Sequence, residues 1–223
     1  MSTETGMPLR TKLMGLTVAT IIALGVLFAV VLSNEKSQLL ADRKEKLRNV
    51  VETAHGVIAH YEQQARDGKI SVADAQQAAI TTIRSLRYDK VEYFWINDHT
   101  PKTLAHGAKA SLEGQDMSQL KDPNGKLLFV EFVKTVKADG AGFVDYLWPK
   151  PGSEAPVDKL SYVKGFEPWG WIIGSGVYID DVGAAFWAEA RRLGLIGLMI
   201  LLVSGGVAVV ITRGVTRPLA RLG

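Results

Sequence analysis

Two uninterrupted apolar runs bracket the chain. Leu13–Leu32 and Leu193–Thr212 each hold 20 residues without a charge, and at about 1.5 Å rise per residue each reaches across a hydrocarbon core of about 30 Å. Both predict transmembrane helices, because a buried core helix rarely runs five turns with no polar face. The first run exceeds the roughly 7–15 apolar residues of a signal peptide, and no A-x-A-like site follows it before SNEKSQ. An uncleaved signal anchor is predicted.

Between the runs the pattern changes twice. Residues 33–69 are strongly charged, with Leu40, Leu47, Ala54 and Tyr61 seven apart and Val50 and Val57 between them. This predicts one long helix with a narrow apolar stripe. Two destinations fit the stripe: a second helix, as in a homodimer, or the domain's own sheet. Gly68 in the run Arg66-Asp67-Gly68-Lys69 suits the helix end. Ser71 and Asp74 resemble a capping box opening a second helix that carries Ala79, Ile80, Ile83 and Leu86 on one side.

From Val91 onward the period falls to two. VEYFWIN places Val91, Tyr93 and Trp95 on one strand face and Glu92, Phe94 and Ile96 on the other, both largely apolar, so this strand is covered on two sides. A turn at 97–101 returns the chain into KTLAH. A polar loop over 107–122 follows, then a turn at 122–125 and a helix over 126–138 with Leu127, Val130, Val133 and Lys134 on adjacent turns. Three strands close the block, joined by hairpins through 149–152 and 167–170. Helix resumes at Asp180 and continues into the second apolar run. The order helix, helix, two strands, helix, three antiparallel strands is α+β.

Charge and composition refine this picture. The formal net charge is +3, yet residues 34–192 hold 21 Lys and Arg against 22 Asp and Glu, a net of −1. The excess base lies at the flanks: Arg10 and Lys12 before the first run, Arg213, Arg217 and Arg221 after the second. That asymmetry predicts both ends in the cytoplasm, with Arg191 and Arg192 as a minor counter-signal. The basic balance therefore reports membrane topology and points to no nucleic-acid partner. The absence of cysteine suits an exported domain that forgoes disulfides. All aromatic residues except Phe28 and Tyr61 lie after position 87, so the large-side-chain core belongs to the sheet.

The ordered block YFWIND, H, LEGQD, KDPNGK, GFVDYLWPKPG and KLSYVKGFEPWGWIIGSGVYIDD resembles the single Cache domain, the PAS-like extracellular sensor of bacterial receptors, over roughly residues 34–190. Residues 211–219, ITRGVTRPL, resemble the start of a HAMP signalling linker. The resemblance implies a PAS-like antiparallel sheet with a long N-terminal helix, flanked by two transmembrane helices: cytoplasmic 1–12, membrane 13–32, periplasmic sensor 33–192, membrane 193–212, HAMP from 213. It also implies a methyl-accepting chemotaxis protein of the bacterial inner membrane that binds acetate, propionate, pyruvate or lactate and signals to cytoplasmic proteins. One departure stands out. The family commonly has His-Pro where this chain has His106-Gly107, which predicts a freer backbone there.

Gripping a small carboxylate calls for a cation, neutral donors and water-excluding walls. Lys159, opening KLSYV beside aromatics, is the candidate cation. Tyr93 with Trp95 and Tyr146 with Trp148 share strand faces and can supply hydroxyls and walls, although aromatics in a sheet are more often packing. His106 can donate a hydrogen bond and would attract an anion if protonated. Tyr162 is a second-rank candidate, since it falls on the strand face opposite Lys159. His99 in its turn is expected to be solvated, and Arg84 and Arg87 to serve surface solvation.

His55 and His60 are five apart on a helix, poor spacing for a metal, and no metal or other cofactor is expected. Gly174 and Gly176 read as sites of close backbone approach rather than a nucleotide loop. No catalytic motif appears: there is no H-E-x-x-H, G-x-S-x-G or P-loop, and an enzyme reading is poor. Rival readings are the same sensor feeding a histidine kinase or cyclic-dinucleotide enzyme, a four-carbon dicarboxylate such as malate as ligand, and a module that docks a carrier protein.

Overall fold

The computed structural model describes residues 9–89 and 91–211. They divide into two compact units, one made of the residues up to Gln38 and from Gly183, the other of Leu39–Val182. Two helices, α1 (Leu9–Arg66) and α4 (Asp180–Ile211), each contain a stretch long and apolar enough to cross a membrane. Within the first unit Phe28 lies against Gly197, where a Cβ would meet its ring. Residues 212–223, which carry most of the HAMP-like motif, lie outside the described residues, as does most of the predicted N-terminal tail.

The second unit is a sheet with helices on both faces. Its elements after α1 are α2 (Val72–Ser85), β1 (Arg87–Tyr88), β2 (Glu92–Asp98), β3 (Thr103–His106), α3 (Leu128–Asp139), β4 (Ala141–Pro149), β5 (Pro156–Phe166) and β6 (Trp171–Tyr178). All pairings are antiparallel, in the order β1-β2-β6-β5-β4, with β3 beside β1 on the same edge of β2. Thus β2 and β6, adjacent in space but far apart in sequence, form the middle.

On one face α1 and α2 cover the sheet. Leu47, Val51, Ala54 and Ile58, at helical spacing on α1, are fully buried against Phe94, Ile96, Leu160 and Ile173. The stripe on α1 therefore goes to its own sheet. Burial of the Leu, Val and Ile side chains contributes about 1.5–3 kcal/mol each, and such packing supplies most of a helix's stability. Ser71 caps α2 by accepting from the Asp74 N–H at 3.1 Å.

On the other face lies α3. The predicted stripe over Leu127, Val130, Val133 and Lys134 is wrong by about one residue position: the buried face is Leu128, Phe129, Phe132, Val133 and Val136. The two phenylalanines decide this: they pack on each other at 5.2 Å, and Phe132 packs on Trp95 and Tyr146. Gly140, at φ 73°, closes the helix by donating to Val136 O.

The polar stretch 107–127 is tied down along its length. Gly114 N donates to Thr103 O at 2.7 Å, Thr103 N to Gln115 O at 3.0 Å and Met117 N to Pro101 O at 2.9 Å. Buried Asp122 accepts from the backbone of Asn124, Lys126 and Leu147 at 2.9, 2.9 and 3.1 Å, joining the turn to β4. Replacing Asp122 by Ala strands these donors and should cost about 1–3 kcal/mol in urea denaturation. An unchanged midpoint would show that water replaces the carboxylate at no cost.

Candidate ligand-binding site

Lys159 is the centre of the α3-facing side of the sheet. In β5 it is paired on one side with Tyr146 of β4 and on the other with Tyr178 of β6, so all three project from the same face. Its side chain is 1% exposed. The ammonium donates to the Tyr93 hydroxyl at 2.9 Å and lies 4.2, 4.7 and 5.9 Å from the rings of Tyr93, Tyr178 and Trp95.

Two glycines make this placement possible. A Cβ on Gly176 would collide with Ser161 Oγ and with Lys159 Cε, and one on Gly174 would collide with the Trp95 indole. The lysine stem and the indole thus lie flat on a bare stretch of β6, in keeping with the close-approach reading of IIGSGVY.

The Tyr93 phenol is a junction. It accepts from Lys159 with the side chains of Trp148 and Tyr178 close by, and Tyr178 donates to Pro149 O at 2.8 Å. Burial pushes the Tyr93 hydroxyl above the ordinary phenol range, so it stays a neutral donor and acceptor. His106, opposite Trp95 across β2 and β3, stacks 4.9 Å from Tyr93 and 6.3 Å from Trp148.

His106 Nδ1 accepts the backbone N–H groups of Lys109 at 2.9 Å and Ala108 at 3.3 Å. The ring proton therefore sits on Nε2. Burial first, then the charges of Lys159, Lys109 and Arg87, push its pKa down to about 3. The protonated form allowed by the sequence is thus overturned, and His106 is a neutral N–H donor at physiological pH.

The remaining candidates divide. Tyr146 hydrogen-bonds Ser161 Oγ at 2.9 Å and packs on Phe132, and Trp95 donates to Asn97 Oδ1 at 3.1 Å, so both are walls of the same face. Tyr162 is not part of the assembly. It points to the α1 side, where the Arg48 guanidinium covers its ring at 5.8 Å, because alternation sends it opposite to Lys159.

Gly107 is held rather than free. Its N–H donates to Phe94 O at 2.9 Å, a bond proline could not make, and its carbonyl accepts from Arg87, whose Nη1 would lie 3.0 Å from an added Cβ. Neither arginine of α2 and β1 is idle on the surface. Arg84 pairs with Glu113 through two bonds of 2.8 and 2.7 Å, and Glu113 accepts the His106 N–H at 2.9 Å. His99 is also more enclosed than expected, its Nδ1 buried without a hydrogen-bond partner among the described residues.

Sequence reasoning missed Tyr178, Lys109, whose Nζ is 5.2 Å from the Trp148 ring, and Glu92. Tyr178 was within reach: it ends a strand with the same alternation as Gly174 and Gly176. Among the described residues no cluster of His, Cys, Asp or Glu could hold a metal ion.

Comparison with known proteins identifies the family and the fold. The single Cache domain 2 model matches residues 39–192. The chain belongs to the single Cache family. It is 43% identical, over 98% of its own length, to the methyl-accepting chemotaxis protein McpP of Pseudomonas putida, and 33% identical over 67% to the sensor histidine kinase MctS of Rhizobium johnstonii. The chain spans 40% and 32% of those two proteins. Among solved structures, the periplasmic sensor domain of a chemotaxis protein is similar at 55% identity and TM-score 0.62, covering 63% of this chain and 98% of that one. A Cache chemosensory domain solved for its recognition of carboxylic acids is similar at 48% identity and TM-score 0.62, covering 65% and 98%. The Cache fold places Lys159 in the face between the sheet and α3.

Burial pushes Lys159 down to about 7, with the Glu92 carboxylate opposing the shift. Its folded pKa lies below the unfolded value of about 10.4, so the unfolded chain binds more protons between these limits. The penalty is complete below pH 7 and fades as pH rises toward 10. Lys159→Met should therefore raise stability by about 1–4 kcal/mol at pH 6, with a smaller gain at pH 9. Denaturant titrations at the two pH values check this, and a variant less stable at pH 6 would contradict it.

Proposed function

We propose that this chain is the sensing part of a transmembrane chemoreceptor of the bacterial inner membrane, and that it binds a C2 or C3 monocarboxylate such as acetate, propionate, pyruvate or lactate. The observation that carries this reading is a fully buried ammonium whose recorded hydrogen bond goes to a neutral phenol. A buried cation with spare donors is costly until an anion joins it. A carboxylate inserted between Lys159 and Tyr93 would take a charge-assisted bond from Nζ and further bonds from the Tyr93 hydroxyl and His106 Nε2–H. Trp95, Tyr146 and Trp148 wall the carbon end and favour a short chain. The recognition of carboxylic acids by a similar Cache domain supports the ligand class.

In this reading residues 13–32 and 193–212 cross the membrane, residues 33–192 face the periplasm, and a HAMP linker begins at 213 and passes the signal to cytoplasmic proteins. Two copies pairing along α1 would use its outer face, at Asp42, Glu45, Asn49 and Thr53, because its apolar stripe is spent on the sheet. The output is a methyl-accepting chemotaxis signal, as the similarity to McpP favours. The similarity to MctS keeps a histidine kinase as the second reading, and a four-carbon dicarboxylate is the rival ligand.

Calorimetric titration with carboxylates of two to four carbons tests the ligand. Saturable binding of the short monocarboxylates is expected, and Lys159→Met should weaken it roughly thirtyfold, about 2 kcal/mol. Silence across the panel, or unchanged affinity in the variant, would refute the reading.

An anion also pulls the Lys159 pKa upward. Binding should take up a fraction of a proton near pH 7, seen as a dependence of the observed heat on buffer ionisation enthalpy. Affinity should fall as pH rises above 7, where the free amine loses its charge; a pH-independent affinity from 6 to 9 would count against Lys159 as the anchor.

A further inference from the structure

A cleft of about 580 Å³ opens in the sensor unit where α1, β2, the β4–β5 hairpin and the start of α4 meet. Its rim carries three ion pairs: Arg43 with Asp181 at 2.5 Å, Lys46 with Asp89 at 2.5 Å and Lys150 with Asp180 at 2.7 Å. These cancel. Among the described residues the remaining charged lining residue is Glu92, and it differs from the others in kind. It is 8% exposed, whereas the side chains of the three aspartates are 36–61% exposed, and its Oε2 is buried with no hydrogen-bond partner among the described residues.

A buried carboxylate oxygen without a donor is costly, and three neutral pairs around it leave the described lining residues one negative charge in excess. The rest of the wall is apolar: Val91, which is 56% exposed, with Pro151, Val177 and the edge of Tyr178. A ligand that satisfies both features has one positive charge, at least one N–H and a short hydrocarbon body. A divalent metal ion fits poorly, because it asks for several oxygens and the aspartates are already paired.

We propose that this cleft is a binding site for a small primary alkylammonium ion, with Glu92 as its anchor and Val91, Pro151 and Val177 against its carbons. The ammonium donates to Glu92 Oε2 and replaces the missing partner. Glu92 feels the charge of Lys159, and Tyr178 borders both sites, but the proposal stands on Glu92 and this lining and does not depend on the carboxylate reading.

Calorimetric titration of the full chain in nanodiscs with n-propylammonium chloride is the test, with tetramethylammonium, magnesium and calcium chlorides as comparisons. Saturable binding of propylammonium is expected, with at least tenfold weaker binding of tetramethylammonium, which has no N–H. Glu92→Gln should weaken propylammonium at least tenfold and Asp89→Asn less than threefold, because Asp89 already has Lys46. Equal losses in the two variants would reduce the site to a diffuse acidic field and overturn the proposal. So would binding of either divalent ion at Glu92 in preference to the amine, or no saturable binding at all. Should Glu92→Gln fail to fold, Val91→Lys serves instead: the exposed position tolerates it, and its ammonium in the cleft should abolish amine binding. Retained affinity in Val91→Lys would also overturn the proposal.

Discussion

The sensor unit is built around a lysine kept out of water. An ammonium in so enclosed a place is tolerable only if its stem lies on backbone and its head meets polarisable rings and a hydroxyl. Each requirement is visible in a neighbouring strand. β6 gives up side chains at Gly174 and Gly176 so that Trp95 and Lys159 lie across it, β2 presents Tyr93, and β4 brings Tyr146 beside the lysine. The pairing of distant β2 and β6 at the middle of the sheet is what brings these strands together.

Around this centre the neutral groups are set by their own partners, not by the lysine alone. His106 is fixed in one tautomer by two backbone amides, and its strand is anchored by Glu113, which Arg84 neutralises. Tyr146 is held by Ser161. Such outer bonds let the walls keep their positions whether or not the lysine is charged, so the free energy of any change in its partner is concentrated at the Lys159–Tyr93 contact.

Much of this was legible in the residues because strand chemistry is local. Alternation in VEYFWIN sorted Tyr93 and Trp95 from Phe94 and Ile96, and the same rule already set Tyr162 apart from Lys159. The paired glycines of β6 and the cap at Ser71 were likewise visible. What failed was whatever depends on a partner far along the chain. The stripe of α1 could not say whether it faced a sheet or a helix, α3 was turned by Phe129 and Phe132, the latter meeting Trp95, and Arg84 found Glu113 across 29 positions. Gly107 misled for the same reason: its lost proline suggested freedom, whereas Phe94 O and Arg87 restrain it from outside. Tyr178 was overlooked because its role comes from β5 and β2, not from its own strand.

The stretch 107–127 looks like a flap in composition, yet it is stitched to β3 by its own amides and to β4 through Asp122. Lifting it would break several backbone bonds and the Arg84–Glu113 pair together, a cooperative opening of the microsecond-to-second kind. Rotation of half-buried Trp148 and of exposed Lys109 breaks far less and belongs to a much faster regime. On the proposed carboxylate reading, an anion passing Trp148 and Lys109 would need only swinging side chains, and the tempo of exchange would be decoupled from the slow breathing of the backbone.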